Sequence, residues 1–481
     1  MEKIYNYIDG DVAAPAEDRW LDVFEPATGQ AYARAPDSSA DDLKKAMSAA
    51  QSAFDPWAAT SAAERGRVLN RLANLVEERA AEFAQAESVD TGKPLRLAES
   101  VDIPRVAANL RFYAGAAEHF ASESHAMGQD AINYTLREPL GVVACISPWN
   151  LPLYLLSWKI APALAAGNTV IAKPSELTPM TAYLFSRLLS RANVPPGVLN
   201  IVHGRGAGVG QALVDQTEIA AISFTGGTST GKQIAKSTAG RFKKLSLEMG
   251  GKNPTVVFAD CDWDRTLDQT LRAAFTNQGE VCLCGSRILV QNEVYERFRE
   301  DFVARAKQLV VGDPLVNGSD QGALISAAHR DKVLDCIQLA QDEGGEVLCG
   351  GTPVNLPGRC AEGWFVAPTV IEGLPAQCRT NQEEIFGPVV TIMPFDDEDE
   401  AIALSNQSTY GLAASIWGSD VTRCLRVARR IEAGLVWVNT WMMRDLRTPM
   451  GGMKQSGMGR EGGFESMRFF TEPKNVCVRY D

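Results

Sequence analysis

A cysteine becomes useful to catalysis when its thiolate can be reached and a second group can activate water against the covalent adduct it forms. In this chain of 481 residues, Phe275-Thr276-Asn277-Gln278-Gly279-Glu280-Val281-Cys282-Leu283-Cys284 lies on a connection between a predicted helix and a strand beginning at Arg287. Such a connection can hold a side chain and still leave it reachable. Position alone does not separate that reading from an inert buried thiol, the commoner state of a cysteine. The candidate base is Glu248, in Leu247-Glu248-Met249-Gly250-Gly251-Lys252. It closes an apolar strand, where partial desolvation raises a carboxyl pKa toward the working pH, and the glycines after it let backbone approach closely. A solvated carboxylate at a strand end is the alternative, and the residues alone leave both open.

A second constellation competes for attention. Gly226-Gly227-Thr228-Ser229-Thr230-Gly231-Lys232-Gln233 follows an apolar strand and nearly satisfies the phosphate-binding loop of nucleoside triphosphatases, and Val256-Val257-Phe258-Ala259-Asp260 imitates a strand carrying a magnesium-binding Asp. Gln233 counts against that reading, because the loop needs a Ser or Thr hydroxyl there for magnesium. The glycines at 204, 206, 208 and 210 do not form the G-x-G-x-x-G fingerprint either.

The elements that must position these residues can be read from periodicity. Residues 41–120 carry apolar side chains every three or four positions and form an N-terminal helical layer. From 141 to 250, short apolar runs at Val142–Ile146, Thr169–Ala172, Val198–Val202, Ala220–Phe224 and Lys244–Leu247 alternate with helical stretches. That pattern implies βαβ units, a parallel sheet and a dinucleotide-binding architecture. A second α/β series follows Gly250-Gly251. Its strands are expected near 255–258, 287–290, 389–394, 413–417 and 435–438, its helices near 263–276, 293–310, 326–343 and 420–432. Residues 131–138 and 475–480 alternate like strands without local partners, so they must pair with each other or with a neighbouring subunit.

Composition sets the outer limits. Hydrophobic residues at 45% and charged residues at 22% describe a globular chain, and a net charge of −12 without a dense basic run disfavours nucleic acid. The start Met1-Glu2-Lys3-Ile4-Tyr5 lacks a signal-like apolar stretch and no later segment is apolar enough to span a membrane, so a cytoplasmic protein is expected. The ten cysteines show no C-x-x-C pair and should be reduced thiols, and the four histidines suggest no metal site.

Seven motifs in order along nearly the whole chain resemble those of the aldehyde dehydrogenase superfamily: Pro148-Trp149-Asn150-Leu151-Pro152, Lys173-Pro174-Ser175-Glu176, Phe224-Thr225-Gly226, the Glu248 and Cys282 segments, Glu383-Glu384-Ile385-Phe386-Gly387-Pro388, and Pro449-x-Gly451-Gly452. The resemblance implies an α/β fold of three parts. These are an NAD-binding domain (1–118 and 140–250), a catalytic domain (251–452) and a small β oligomerisation element (119–139 and 453–481). It implies that Cys282 is the nucleophile, Glu248 the base for water and Asn150 an oxyanion donor, with Cys284 secondary because the motif falls on 282. By the same resemblance Lys173 and Glu176 hold the adenosine ribose of NAD, Glu384 holds the nicotinamide ribose and Phe386 packs near the ring. Ile146, Ser147, Pro148, Trp149, Gly206, Gly210, Phe224, Gly226, Gly227 and Met249 complete the cofactor site. Gly227 stands where the family commonly has Ser, which removes a phosphate hydroxyl but not backbone donation. A carboxylate at Glu176 would repel a 2′-phosphate and so favours NAD over NADP. A retired relative would be expected to lack Cys282 or Glu248, and both are present.

Arg105 and Arg444 fall where the family's substrate tunnel is expected, and a guanidinium facing such a cavity calls for an anion. The expected substrate is therefore an aldehyde with a carboxylate at its far end, with Tyr154 and Trp158 flanking its conjugated chain. These segments resemble the branch that oxidises 2-aminomuconate and 2-hydroxymuconate semialdehydes, the aminomuconate side more closely. A broader aldehyde dehydrogenase is the runner-up, and a homodimer or homotetramer is expected. Arg447 could instead pair with Asp445, and Arg111 reads as structural.

Overall fold

The computed structural model describes residues 1–480, so Asp481, the last residue of the expected 453–481 element, lies outside the described residues. Strands Val142–Ile146 and Thr169–Lys173 are buried along their whole length. Their apolar, partly β-branched side chains suit a strand covered on both faces. They sit centrally in an eight-stranded sheet whose order is 457–458, 244–248, 219–225, 142–146, 169–173, 199–201, 6–8 and 11–13. The five strands from 244–248 to 199–201 are parallel, and the outer ones are antiparallel. The chain runs from 142–146 outward through 169–173 to 199–201, then returns to lay 219–225 on the other side. In a doubly wound sheet, ligands bind beyond the C-terminal strand ends at such a reversal. Ser147–Asn150, Pro174–Glu176, Gly226–Gly227 and Met249–Gly250 all follow directly from those ends.

The second sheet has seven strands in the order 346–349, 369–372, 389–395, 287–291, 254–257, 413–417 and 435–438, antiparallel only between the first two. The Cys282 segment leads into 287–291, and Glu384–Phe386 leads into 389–395. Loops at one edge of this sheet thus meet loops at the C-terminal edge of the other.

The helical layer is capped and then packed. Ser39 and Asp42 form a reciprocal capping box at the start of Ala40–Ala58. Helix Ile103–His119 packs on Ala62–Glu78 and on Pro152–Ala165 around Val106, Leu110, Tyr113, Leu153, Leu156 and Trp158. Every residue of Pro152–Ala165 is buried, so side chains projecting from this helix pair are rigidly held.

Strands Ala131–Pro139 and Thr471–Arg479 pair antiparallel from Thr471↔Pro139 to Arg479↔Ala131, with Ser124–Met127 completing a three-stranded sheet. This sheet is narrower than the expected 453–481 element. Met453–Lys454 pairs with Tyr410–Gly411, and Gly457–Met458 closes the edge of the eight-stranded sheet beside Leu247 and Glu248. Two-residue strands are too short to carry a periodic signal, and the same applies to Asn6–Ile8 and Asp11–Ala13 in the first sheet. Strands Trp20–Glu25 and Gln30–Pro36 were also not anticipated. Among the described residues no helix is long and apolar enough to cross a membrane, and no group of three or more His, Cys, Asp or Glu could hold a metal ion.

Candidate active site

Two cavities of about 350 and 240 Å³ share Pro148, Trp149, Thr225, Gly226 and Gly227, forming one groove along the C-terminal edge of the first sheet. Ile146, Ser147, Lys173, Glu176, Gly206, Gly210 and Phe224 line the larger cavity. Asn150, Met249, Cys282, Glu384 and Phe386 line the smaller, together with Leu155, Gly250, His329 and Lys332. The groove therefore runs from Lys173 and Glu176 at one end to the candidate nucleophile at the other.

The larger cavity has the donor set of a nucleotide site. Lys173 Nζ donates to a Glu176 carboxylate oxygen at 3.2 Å, and the Gly206 N–H donates to the other at 3.2 Å. Burial pushes the Glu176 carboxyl up, but Lys173 and the Gly206 N–H outweigh it and hold it below the usual range. Helix Thr228–Thr238 starts from Gly227 with no side-chain cap, and a Cβ on Gly227 would meet nothing within 4 Å. Its first N–H groups and dipole remain available to an anion in the groove. A dinucleotide fits this arrangement: the helix start would accept its pyrophosphate and Glu176 its ribose hydroxyls.

The triphosphatase reading fails on the same helix. Lys232 Nζ bonds Gln455 Oε1 at 2.9 Å instead of turning toward the groove, and the Gln233 amide bonds Gln211 at 2.8 Å. Asp260 is paired with Arg423 and accepts from the Asp420 N–H, beside the second sheet.

At the smaller cavity the Cys282 loop is shaped by three consecutive left-handed residues, Asn277 (φ 54°), Gln278 (φ 54°) and Gly279 (φ 71°). The Gln278 side chain is anchored to Ala323 O at 3.1 Å and the Gly322 N–H at 3.3 Å. A Cβ on Gly279 would lie 2.1 Å from Gly387 O, so only glycine lets this loop touch the one carrying Glu384 and Phe386. Gly279→Ala should destabilise the protein by about 2–4 kcal/mol through strain and steric overlap. Thermal unfolding checks this, and an unchanged melting temperature would remove the close-approach argument.

Burial first, then the charges of Glu384 and Glu248, push the Cys282 thiol up to about 12, with Arg444 opposing. The loop carbonyls of Cys282 and Cys284 both accept from Asn253 Nδ2 at 2.8 Å. Cys284 is buried with its sulfur toward Thr276 O, away from the cavity lining. Asn150 is only 3% exposed, and its Nδ2 donates to Glu280 O at 2.9 Å, leaving the second amide hydrogen for the cavity it lines with Cys282. Lys93 Nζ donates to the Asn150 carbonyl at 2.9 Å and to Asp102 at 2.5 Å, fixing the backbone behind that amide. The Cys282 N–H forms no backbone–backbone hydrogen bond in its turn and acts on its own sulfur.

Glu248 is 3% exposed, and neither carboxylate oxygen meets a hydrogen-bond donor at good geometry. Burial and, next, the charge of Glu461 raise its carboxyl well above the ordinary range, with Lys159 and Arg460 opposing. Glu461 itself accepts from Lys159 Nζ at 2.6 Å and Ser223 Oγ at 2.8 Å. Gly451 makes room for Glu248, because a Cβ there would lie 2.6 Å from Oε1. The Glu248 carboxylate does not itself line the smaller cavity. Glu384 accepts from the Gly251 N–H at 3.0 Å, and burial raises its carboxyl.

His329 and Lys332 were not singled out from sequence. Ser326 caps their helix by accepting from the His329 N–H, and positions three apart turn both side chains to one face. Burial holds His329 down to about 4, so the neutral ring donates through Nε2 to Phe386 O at 2.7 Å. Trp149 meets His329 and Phe386 edge-on, at 5.4 and 5.3 Å between ring centroids.

Arg105, Arg444, Tyr154 and Trp158 form a cluster of their own and line neither cavity. The Arg105 guanidinium lies 5.5 Å from each of the Tyr154 and Trp158 rings, and that of Arg444 lies 5.6 Å from Trp158. Arg444 Nη1 bonds the Tyr154 hydroxyl at 3.4 Å. Arg105 Nη2 is buried without a partner, and among the described residues neither arginine forms an ion pair. Asp445, the nearby acid, is held by Arg447 at 2.6 Å, while Arg111 bonds Asn74 and Glu77.

Comparison with known proteins agrees with this arrangement. A model of the aldehyde dehydrogenase family matches residues 13–476. The chain is 49% identical to 2-aminomuconic semialdehyde dehydrogenase of Danio rerio, over 99% of this chain and 98% of that one. It is 45% identical to 2-hydroxymuconic semialdehyde dehydrogenase of Pseudomonas sp. (strain CF600), over the full length of both. An aldehyde dehydrogenase of Bacillus cereus solved as its NAD+ complex superposes with a TM-score of 0.97 at 36% identity, covering 100% of this chain and 97% of that one.

Proposed function

This chain belongs to the aldehyde dehydrogenase family, and from that premise we propose that it oxidises 2-aminomuconate 6-semialdehyde to the dicarboxylic acid with NAD. The observation that carries the substrate is the pair of guanidiniums, Arg105 and Arg444, packed about Trp158 with no protein carboxylate to neutralise them. Half-buried cations without an ionic partner are costly, and a substrate carboxylate is the natural one to supply. Arg444 also acts electrostatically on Cys282, which supports one substrate spanning both groups.

In this reading the Cys282 thiol releases its proton to solvent and the resulting thiolate attacks the aldehyde carbon. The oxyanion of the thiohemiacetal accepts from the Asn150 amide and the Cys282 N–H, donors that strengthen as charge develops. NAD, when bound, supplies the acceptor for the hydride that leaves this carbon. Lys173 and Glu176 would hold its adenosine ribose, Gly227 and the following helix its pyrophosphate, and Glu384 its nicotinamide ribose beside Phe386. Glu248 then takes a proton from water, the hydroxide adds to the Cys282 thioester, and collapse expels the thiolate and the acid. The Glu176 carboxylate supports NAD over NADP.

The test is comparative. Arg105→Ala and Arg444→Ala should each cost about 2–5 kcal/mol of transition-state binding for the carboxylate-bearing semialdehyde relative to a neutral aldehyde. NADH formation followed for both substrates reads this, and equal losses would remove the clamp. Trp158 is a poor probe, since alanine there would cost about 3–5 kcal/mol in packing alone. The clamp recognises the end that 2-hydroxymuconate semialdehyde shares, and the Pseudomonas relative is named for that compound, so it belongs in the same assay as the second substrate.

The outer strand Thr471–Arg479 is largely exposed, which supports assembly into a homodimer or homotetramer through the small sheet, a point light scattering decides. Ten unpaired cysteines support a cytoplasmic setting.

A further inference from the structure

We propose that Asn109 is a specificity-determining positioning residue: a neutral amide that fixes the Arg105 guanidinium while leaving its charge free for the substrate carboxylate. The inference rests on the carboxylate-clamp reading above and goes beyond it, since it concerns how the clamp keeps its affinity for anions.

Asn109 is 0% exposed and lies one turn after Arg105 on helix Ile103–His119, where side chains four apart meet. Its Oδ1 accepts from Arg105 Nε at 3.1 Å. Its Nδ2 donates to Tyr154 O at 3.3 Å and to Ser157 Oγ at 3.0 Å, and Ser157 Oγ in turn donates to Tyr154 O at 2.8 Å. These bonds fix the orientation of the amide. A flipped side chain would set NH2 against a guanidinium that can only donate, and its oxygen against a carbonyl.

The choice of an amide matters because orientation and neutralisation are separable. A carboxylate at this position would hold Arg105 equally well and form an internal ion pair, which a substrate carboxylate would then have to displace. The same helix uses the other solution further along, where Arg111 bonds Glu77. At Arg105 the remaining surroundings are two aromatic rings and the like charge of Arg444. Asp445, the acid that acts on Arg105 from the opposite loop, is already occupied by the Arg447 side chain and N–H. The positive charge is thus oriented by the Asn109 amide and met from the protein only by the more distant Asp445, which is already paired with Arg447.

The experiment uses the intact enzyme with NAD. It compares kcat/KM for a semialdehyde bearing a terminal carboxylate with that for a neutral aldehyde of similar length in Asn109→Asp, Asn109→Ser and Arg105→Gln. Asn109→Asp should lower the ratio of the two values about tenfold or more, mainly through KM of the acidic substrate. Asn109→Ser leaves the charge but loosens its aim, so the ratio should fall by a smaller factor, about threefold. A new carboxylate oxygen would face Tyr154 O, so if the Asp variant does not fold, the Ser variant decides on the same ratio. Folded Asn109 variants that leave the ratio unchanged, or that lose both substrates equally, overturn the inference. Arg105→Gln separates the two levels. An unchanged ratio there overturns the clamp itself, whereas a collapsed ratio there with unaffected Asn109 variants overturns only the role of Asn109.

Discussion

Cys282→Ala should abolish aldehyde oxidation while leaving NAD binding intact. The expected loss in turnover is about 10⁴-fold or more, because no other thiol lines the groove to form the thioester. Cofactor binding should survive because most of the groups proposed to hold NAD lie elsewhere: Lys173 and Glu176 at the far end, the open start of helix Thr228–Thr238 in the middle, and Glu384 across the loop contact. NAD titration by protein fluorescence, run beside a turnover assay, reads both halves. Retained turnover would refute the assignment of the nucleophile. Cys284→Ala is the internal comparison. That sulfur faces Thr276 O and does not line the cavity, so the rapid formation of NADH should persist in its absence.

The second large effect is on water rather than on the aldehyde. Glu248→Gln removes the group proposed to accept water's proton, and steady-state turnover should fall by about 10²–10⁴-fold. Thiohemiacetal formation and oxidation need no such base once the thiolate is present. Mixing enzyme, NAD and substrate should therefore yield one equivalent of NADH per site and then stall at the thioester. A variant that loses the burst together with the steady state would show that Glu248 acts before oxidation, not after it. The pH dependence has a definite sign. Burial and Glu461 raise the Glu248 carboxyl, so the neutral form, which cannot accept a proton, persists above the usual carboxylate range. Thioester hydrolysis in the native enzyme should rise as pH rises through that pKa, and this limb should be absent from hydrolysis in the Gln variant.

How far the chain could be read depends on how local each determinant is. Val142–Ile146 is a continuous apolar run and Ala413–Trp417 is broken only by Ser415, so both declare themselves as buried strands. Cys282, Glu248 and Asn150 sit at the ends of such elements inside motifs, so the chemistry could be approached from residue types and order. Asn6–Ile8 and Gly457–Met458 are too short for periodicity, and their places are set by what they pair with. Lys93 reads as a surface residue, yet it is wholly buried behind Asn150, because Asp102 and a carbonyl there satisfy its charge. His329 lies in an amphipathic helix whose pattern says nothing about the loop opposite. The vicinity of Arg105 to Arg444, and the amide between Arg105 and Tyr154, exist only once distant segments have packed. Such contacts are tertiary products with no trace in spacing.

The shelter around Glu248 has a temporal side. Leu247 and Glu248 pair with Met458 and Gly457, and Gly451 and Glu461 close over the carboxylate from the same stretch of chain. Strand Ala131–Pro139 likewise waits for Thr471–Arg479. During synthesis both α/β sheets have their central strands before these residues emerge, since folding proceeds from the N-terminal side. The loop of Cys282 and the groove can be assembled on a nascent chain in which the segment that encloses Glu248 has yet to emerge. On the proposed mechanism, the enclosure of the base for hydrolysis is thus completed by the same C-terminal segment that finishes the outer sheet.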